Sequence, residues 1–223
     1  MTVIFDFDGT IVDSAPAILA TLQQVLAVHK IEPVCAVSQA LIGPPLAATL
    51  TALTGISDKA ALDRLTDSFK QIYDGSGLES TVLYEGMEAV IRQLALSGHR
   101  LLIATNKRQY PTERLLARFK LTGFFAGVHC LDTQSPPHAD KAAMLTRLLQ
   151  SESLTPQRSL YIGDTCHDEF AAAKAGLPFL AVAWGYGVGL QKVSAQAQLV
   201  ATPAVLPAAI AAHFDRIQQL FSK

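Results

Sequence analysis

Short apolar runs alternate with amphipathic segments along most of this chain, and nothing else in the sequence limits the possible folds so strongly. The runs are residues 2–7 (TVIFDF), 100–105 (RLLIAT), 127–131 (GVHCL), 159–163 (SLYIG), 179–183 (FLAVA) and 199–201 (LVA). Most are continuous rather than alternating, as in parallel strands buried on both faces. Between them, residues 86–97, 111–119, 141–150 and 168–175 carry amphipathic helical patterns, and 208–221 reads as a closing helix. Strand and helix in repeated alternation predict an α/β fold with a doubly wound parallel sheet.

The rhythm stops between about residues 15 and 83. No convincing strand is visible there, only helical stretches at 15–29, 38–41, 46–53 and 59–73, punctuated by Pro33, Gly43-Pro44-Pro45, Gly55 and residues 75–77. Nearly seventy residues are too many for an ordinary crossover. The expected organisation is an α/β core from residues 1–14 and 84–223, with residues 15–83 inserted as a helical module.

Composition removes several classes of function. With 18 basic and 19 acidic residues, the formal charge of −1 gives no general field to gather a nucleic acid polymer or an anionic membrane. Half of the residues are hydrophobic, yet no stretch approaches the ~20 apolar residues of a spanning helix. The first residues, Met1-Thr2-Val3-Ile4-Phe5, run directly into Asp6 and lack the basic start and long apolar run of a signal peptide. A cytoplasmic globular protein is expected. Cys35, Cys130 and Cys166 are an odd number without metal-site spacing, and read as reduced, mostly buried thiols. An apolar face on the helical module is compatible with a monomer or a homodimer.

Ligand sites in open α/β sheets lie beyond the carboxyl ends of the strands. There the sequence places Asp6-Phe7-Asp8-Gly9-Thr10, then Thr105-Asn106, then Gly163-Asp164 with Asp168 one turn further on, while Lys141 opens a helix. Residues two apart in an extended segment share a side, so Asp6 and Asp8 are expected to crowd together. Two such charges about 4 Å apart repel by about 4 kcal/mol at an effective dielectric of about 20. With Asp164 and Asp168 the cluster approaches four negatives, which calls for protonation, basic partners or a bound cation. Hard oxygen ligands beside a phosphate suit Mg²⁺. Gly9 allows a sharp turn that brings backbone N–H groups toward an anion. Taken singly, D-x-D is a common surface pair, Thr-Asn a common cap and a lysine a common solvated charge. Their occurrence in order, each at a strand end or helix mouth, makes coincidence the weaker account.

These residues resemble the haloacid dehalogenase superfamily. Residues 6–14 (DFDGTIVDS) look like its first motif, and Thr105-Asn106, Lys141 and residues 163–168 (GDTCHD) like its second, third and fourth. The insert is similar to that superfamily's C1 cap. Ile42-Gly43-Pro44-Pro45-Leu46, Thr105-Asn106-Lys107 and Trp184-Gly185-Tyr186-Gly187 look like the phosphoglycolate phosphatase branch. The resemblance implies that Asp6 is the nucleophile, forming an aspartyl-phosphate, and that Asp8 is the general acid and then the base. It implies Mg²⁺ held by Asp6, Asp164 and the Asp8 backbone carbonyl, with Asp168 as a further ligand. Thr105, the Asn106 backbone and Lys141 would cradle the phosphoryl oxygens, Gly9 and Thr10 would contribute to phosphate binding, and the Gly43 loop would contact substrate.

The implied activity is hydrolysis of a small phosphorylated metabolite, with phosphoglycolate the leading substrate. A carboxylate at Asp8 sets the chain apart from the dehalogenases and phosphonatases that it resembles, which lack one there. A 5'-nucleotidase, a pyrophosphatase or a β-phosphoglucomutase-type phosphomutase is compatible with the same motifs, and a non-catalytic binding protein is the remote alternative. Two departures stand out: Tyr84-Glu85-Gly86 replaces the usual Pro-Gly on return from the insert, and Asp140-Lys141-Ala142 replaces Lys-Pro. Lys107 and Arg108 are the substitute cations if Lys141 is misplaced, with surface ion pairs as their simpler role.

Overall fold

The computed structural model describes residues 1–187 and 198–221. The chain starts in β1 (Thr2–Phe5), leaves through β2 (Val12–Asp13), forms helices α1 (Ala15–His29), α2 (Leu46–Thr54) and α3 (Lys59–Gly75), and returns through β3 (Val82–Leu83). Strand and helix then alternate: α4 (Met87–Leu96), β4 (Arg100–Thr105), α5 (Gln109–Arg118), β5 (Phe125–Cys130), α6 (Lys141–Ser151), β6 (Ser159–Gly163), α7 (Cys166–Lys174), β7 (Phe179–Val182), β8 (Gln198–Val200) and α8 (Leu206–Phe221). Six strands pair in the order β5-β4-β1-β6-β7-β8, every pair parallel. The expected α/β doubly wound parallel sheet is present.

The continuous apolar runs are explained by burial on both faces. Val3 and Phe5 point into one core with Leu101, Ile103, Leu160 and Ile162, where Met87, Ile91, Leu206 and Ile210 cover them. Ile4, Leu102 and Tyr161 point to the other side and pack under Met144, Leu145 and Leu148 of α6 and Ala171 and Ala172 of α7. This is the two-residue period of a strand with no polar face.

Several expectations need correction. β1 ends at Phe5, short of Phe7, because the backbone turns there: Ile11 N–H and Val12 N–H both donate to the Phe7 carbonyl. The stretch from 15 to 83 is not strand-free, since β3 pairs antiparallel with β2, joining Val12 to Leu83 and Asp13 to Val82. Two residues are too few to show alternation in a sequence. Cys130 is buried, but Cys35 is exposed, contrary to the expectation of mostly buried thiols. Among the described residues, no helix is long and apolar enough to cross a membrane.

Candidate active site

Register sets the site. β1 aligns Phe5 with Ile103 of β4 and Ile162 of β6. Asp6 therefore emerges level with Ala104 and Gly163, and Thr105 and Asp164 follow one residue later. Asp168 and Lys141 come from helix starts. Thr165 caps α7 through a reciprocal box with Asp168, and Asp140 caps α6 by accepting from Ala143 N–H at 2.7 Å, which fixes Lys141 in the first turn. The Asp140-Lys141 departure thus serves as a helix start.

Asp6, Asp164 and Asp168 are buried, each with a carboxylate oxygen within 4.8 Å of the others. Lys141 Nζ stands among them, 2.5 Å from Asp168 Oδ1 and 3.1 Å from Asp6 Oδ1. Asp168 is fully engaged: Oδ1 also accepts from the Tyr161 hydroxyl at 3.1 Å, and Oδ2 accepts from Thr165 N–H at 3.0 Å and Thr165 Oγ1 at 2.6 Å. Burial alone would raise the Asp168 pKa, but Lys141 and the Thr165 hydrogen bonds outweigh it and hold it below the usual value. Asp6 differs. Burial pushes its carboxyl up to about 7, with Asp168 and Asp8 adding to the rise and Lys141 opposing it. Burial and the charges of Asp168 and Asp6 likewise hold Asp164 well above the ordinary carboxylate range. Asp6 Oδ1, although in ion-pair range of Lys141, receives no directed hydrogen bond. Three buried carboxylates, two of which resist ionisation and one of which has an unsatisfied oxygen, fit the donor set of a hard divalent cation.

Asp8 stands apart from this cluster, which corrects the expected group of four carboxylates. The turn after β1 sends its side chain elsewhere. Lys107 Nζ donates to Asp8 Oδ1 at 3.0 Å and Oδ2 at 3.2 Å, and Ser14 Oγ donates to Oδ1 at 2.6 Å. Ser14 is fixed in turn by Tyr186, whose hydroxyl accepts from Ser14 N–H and shares a hydrogen bond with Ser14 Oγ, both at 2.9 Å. Tyr186 N–H donates to Asp164 Oδ2 at 2.7 Å, so one residue touches both halves of the site. Lys107 is buried rather than a surface cation. Desolvation works against its charge, but Asp8 and the Tyr73 hydroxyl hold the ammonium above the normal lysine value.

A cavity of about 100 Å³ opens over these groups, lined from the sheet side by Asp6, Asp8, Thr105, Asn106, Lys107 and Lys141. The helical insert supplies the opposite wall, with Ile18, Leu41, Ile42, Gly43, Phe69 and Tyr73. Gly43 is tied to the core, its carbonyl accepting from Asn106 Nδ2 at 2.8 Å. Gly9 and Thr10 do not line the cavity and pack against Asp164 instead. The Thr10 hydroxyl lies 3.5 Å from Asp164 Oδ1, and a Cβ on Gly9, where φ is +81°, would fall 2.2 Å from Asp164 Oδ2.

Tyr161, Ser14, Tyr73, Tyr186 and the paired role of Lys107 are the contributors that sequence reasoning missed. For Lys107 the adjacency to Thr105-Asn106 was the available signal. Ser14 and Tyr186 lay inside the 6–14 run and the 184–187 loop, but their mutual contact across 172 positions carried no signal, nor did that of Tyr73 with Lys107 across 34.

Comparison with known proteins identifies the family. The model of the haloacid dehalogenase-like hydrolase family matches residues 3–182. A phosphoglycolate phosphatase of Cereibacter sphaeroides is 32% identical over 192 residues, covering 82% of this chain and 85% of that protein. The tyrosine-protein kinase PtkA of Mycobacterium tuberculosis is 30% identical over 187 residues, 83% of this chain, but the match spans only 62% of its length. Among solved structures, a haloacid dehalogenase-like family protein from Streptococcus pneumoniae superposes with a TM-score of 0.81 at 23% identity, covering 94% of this chain and 97% of that one. From its matched length and its aspartate site, the chain belongs to the haloacid dehalogenase-like hydrolase family.

Proposed function

We propose that this protein is a phosphatase that hydrolyses a small phosphorylated metabolite through an aspartyl-phosphate on Asp6. The observation that carries the proposal is the convergence of Asp6, Lys141 and Thr105 on one small cavity, with Asp8 on its wall and outside the carboxylate cluster. In the first step an Asp6 carboxylate oxygen attacks phosphorus while the bond to the leaving oxygen breaks, and Asp8 gives that oxygen its proton. Asp8 then takes a proton from the water that attacks the phosphorus of the aspartyl-phosphate. Phosphate leaves and Asp6 is restored. Lys141, Thr105 and the Asn106 backbone hold the phosphoryl oxygens and offset their charge. Mg²⁺, held by Asp6, Asp164 and the Asp8 carbonyl with Asp168 beside them, would supply further positive charge against those oxygens.

Residues 15–83 act as the cap that closes over the cavity and keeps bulk water out. Phosphoglycolate is the leading substrate, supported by the phosphoglycolate phosphatase of Cereibacter sphaeroides among its relatives. The test is turnover of a phosphomonoester panel by purified protein, with Mg²⁺ and then with EDTA. Hydrolysis that ranks phosphoglycolate first and is lost on chelation is expected. A folded protein that turns over no phosphomonoester with Mg²⁺ ends the proposal.

A further inference from the structure

The residue after Lys107 also reaches the cavity. Arg108 lines the cavity beside Phe69 and Pro111, while its partner Asp74, at the end of α3, lines a separate groove with Leu78 and Arg114. Arg108 Nη1 donates to Asp74 Oδ2 at 3.1 Å and Nη2 donates to Oδ1, so the carboxylate grips both terminal nitrogens from outside the cavity. A guanidinium carries five N–H donors. Asp74 takes two, and among the described residues no other acceptor engages Arg108. Of the other cations of the cavity, Lys107 is engaged by Asp8 and the Tyr73 hydroxyl, and Lys141 stands between Asp168 and Asp6 at the phosphoryl end. Thr49, a polar residue on the insert wall, donates its hydroxyl to the Leu41 carbonyl at 3.0 Å. Arg108 thus keeps N–H donors without a partner at the cavity.

We propose that Arg108 is the specificity residue of this site, binding a carboxylate carried by the leaving group while Asp74 holds the guanidinium plane in place. The substrate class is a short phosphorylated hydroxy acid. Arg108 lines the same cavity as Asp6, Thr105 and Lys141, so a short ligand is placed to reach those three with its phosphate and Arg108 with its carboxylate. An arginine suits this task because its planar fork can serve two carboxylates, one on each edge. The inference rests on the phosphatase reading and adds to it the residue that selects an acid over a neutral leaving group.

The test compares 2-phosphoglycolate with ethyl phosphate, in which a methyl group replaces the carboxylate, using wild type, Arg108→Met and Arg108→Lys with Mg²⁺. Wild type is expected to favour phosphoglycolate. Arg108→Met should lower the ratio of the two kcat/KM values about 10- to 100-fold, mainly through the KM for phosphoglycolate, with ethyl phosphate changed less than about threefold. Arg108→Lys keeps a positive charge near Asp74 but not the planar fork, so it should give an intermediate ratio. An unchanged ratio in both variants overturns the proposal, as does a loss shared equally by both esters, which marks Arg108 as a structural tie. Failure of wild type on both esters takes the phosphatase reading down as well, and is thus distinct from failure of Arg108 alone.

Discussion

At the residue scale, the controlling fact is that Asp6 resists ionisation. Its folded pKa of about 7 lies above the ordinary carboxylate value because burial outweighs the attraction of Lys141. Between about pH 4 and pH 7 the unfolded chain releases a proton that the folded chain keeps, so this group lowers stability as pH rises and the penalty levels off above pH 7. Asp6→Asn removes the penalty. In EDTA, the variant should exceed wild type in the free energy of unfolding from denaturant titration at pH 8, by on the order of a few kcal/mol, with the gap narrowing toward pH 5, and its turnover should vanish. A gap that is the same at both pH values would contradict the assignment. The sequence conveyed the identity of these aspartates but not their grouping. Asp6 and Asp8 read as a pair on one strand face, whereas the strand stops at Phe5 and Asp8 is neutralised by Lys107.

Among the elements, the loop after β7 links the two halves of the site and leaves no room for larger residues. A Cβ on Gly185 would fall 2.3 Å from both Asp164 Cβ and the Gly9 carbonyl oxygen. These are backbone and short-side-chain neighbours that cannot yield cheaply. Trp184 and Tyr186 on either side anchor the loop to the Thr10 carbonyl and to Ser14. Gly185→Ala should therefore cost about 1–3 kcal/mol of stability and reduce activity at least tenfold, measured by urea denaturation beside turnover. Wild-type values for both would show that the loop can move aside. The parallel strands were legible because burial on both faces leaves a continuous apolar run. This loop was not, since Trp-Gly-Tyr-Gly reads equally as a turn or a pocket rim until Asp164 is placed beneath it.

For the whole molecule, the relation of insert to core decides access to the cavity. Tyr73 and Asp74 of α3 engage Lys107 and Arg108, and Arg118 of α5 donates to the Leu78 and Thr81 carbonyls on the returning strand of chain. Arg118→Ala should free that return segment. Cleavage by a protease near residues 76–81 should quicken, and KM should rise more than kcat falls, because the acidic cluster is untouched. If proteolysis is unaltered, Arg118 does not hold the insert.

The two-residue ladder of β2 and β3 has a consequence for the history of such a molecule. It brings the outgoing and returning chain side by side, with Val12 paired to Leu83. To the sheet, everything between them is a loop whose ends already meet. The entropic cost of closing a loop grows only with the logarithm of its length, so the core is nearly indifferent to whether ten residues or seventy hang there. Chemistry kept in the core and the cavity wall contributed by the insert can then change at different rates, one preserved while the other is exchanged.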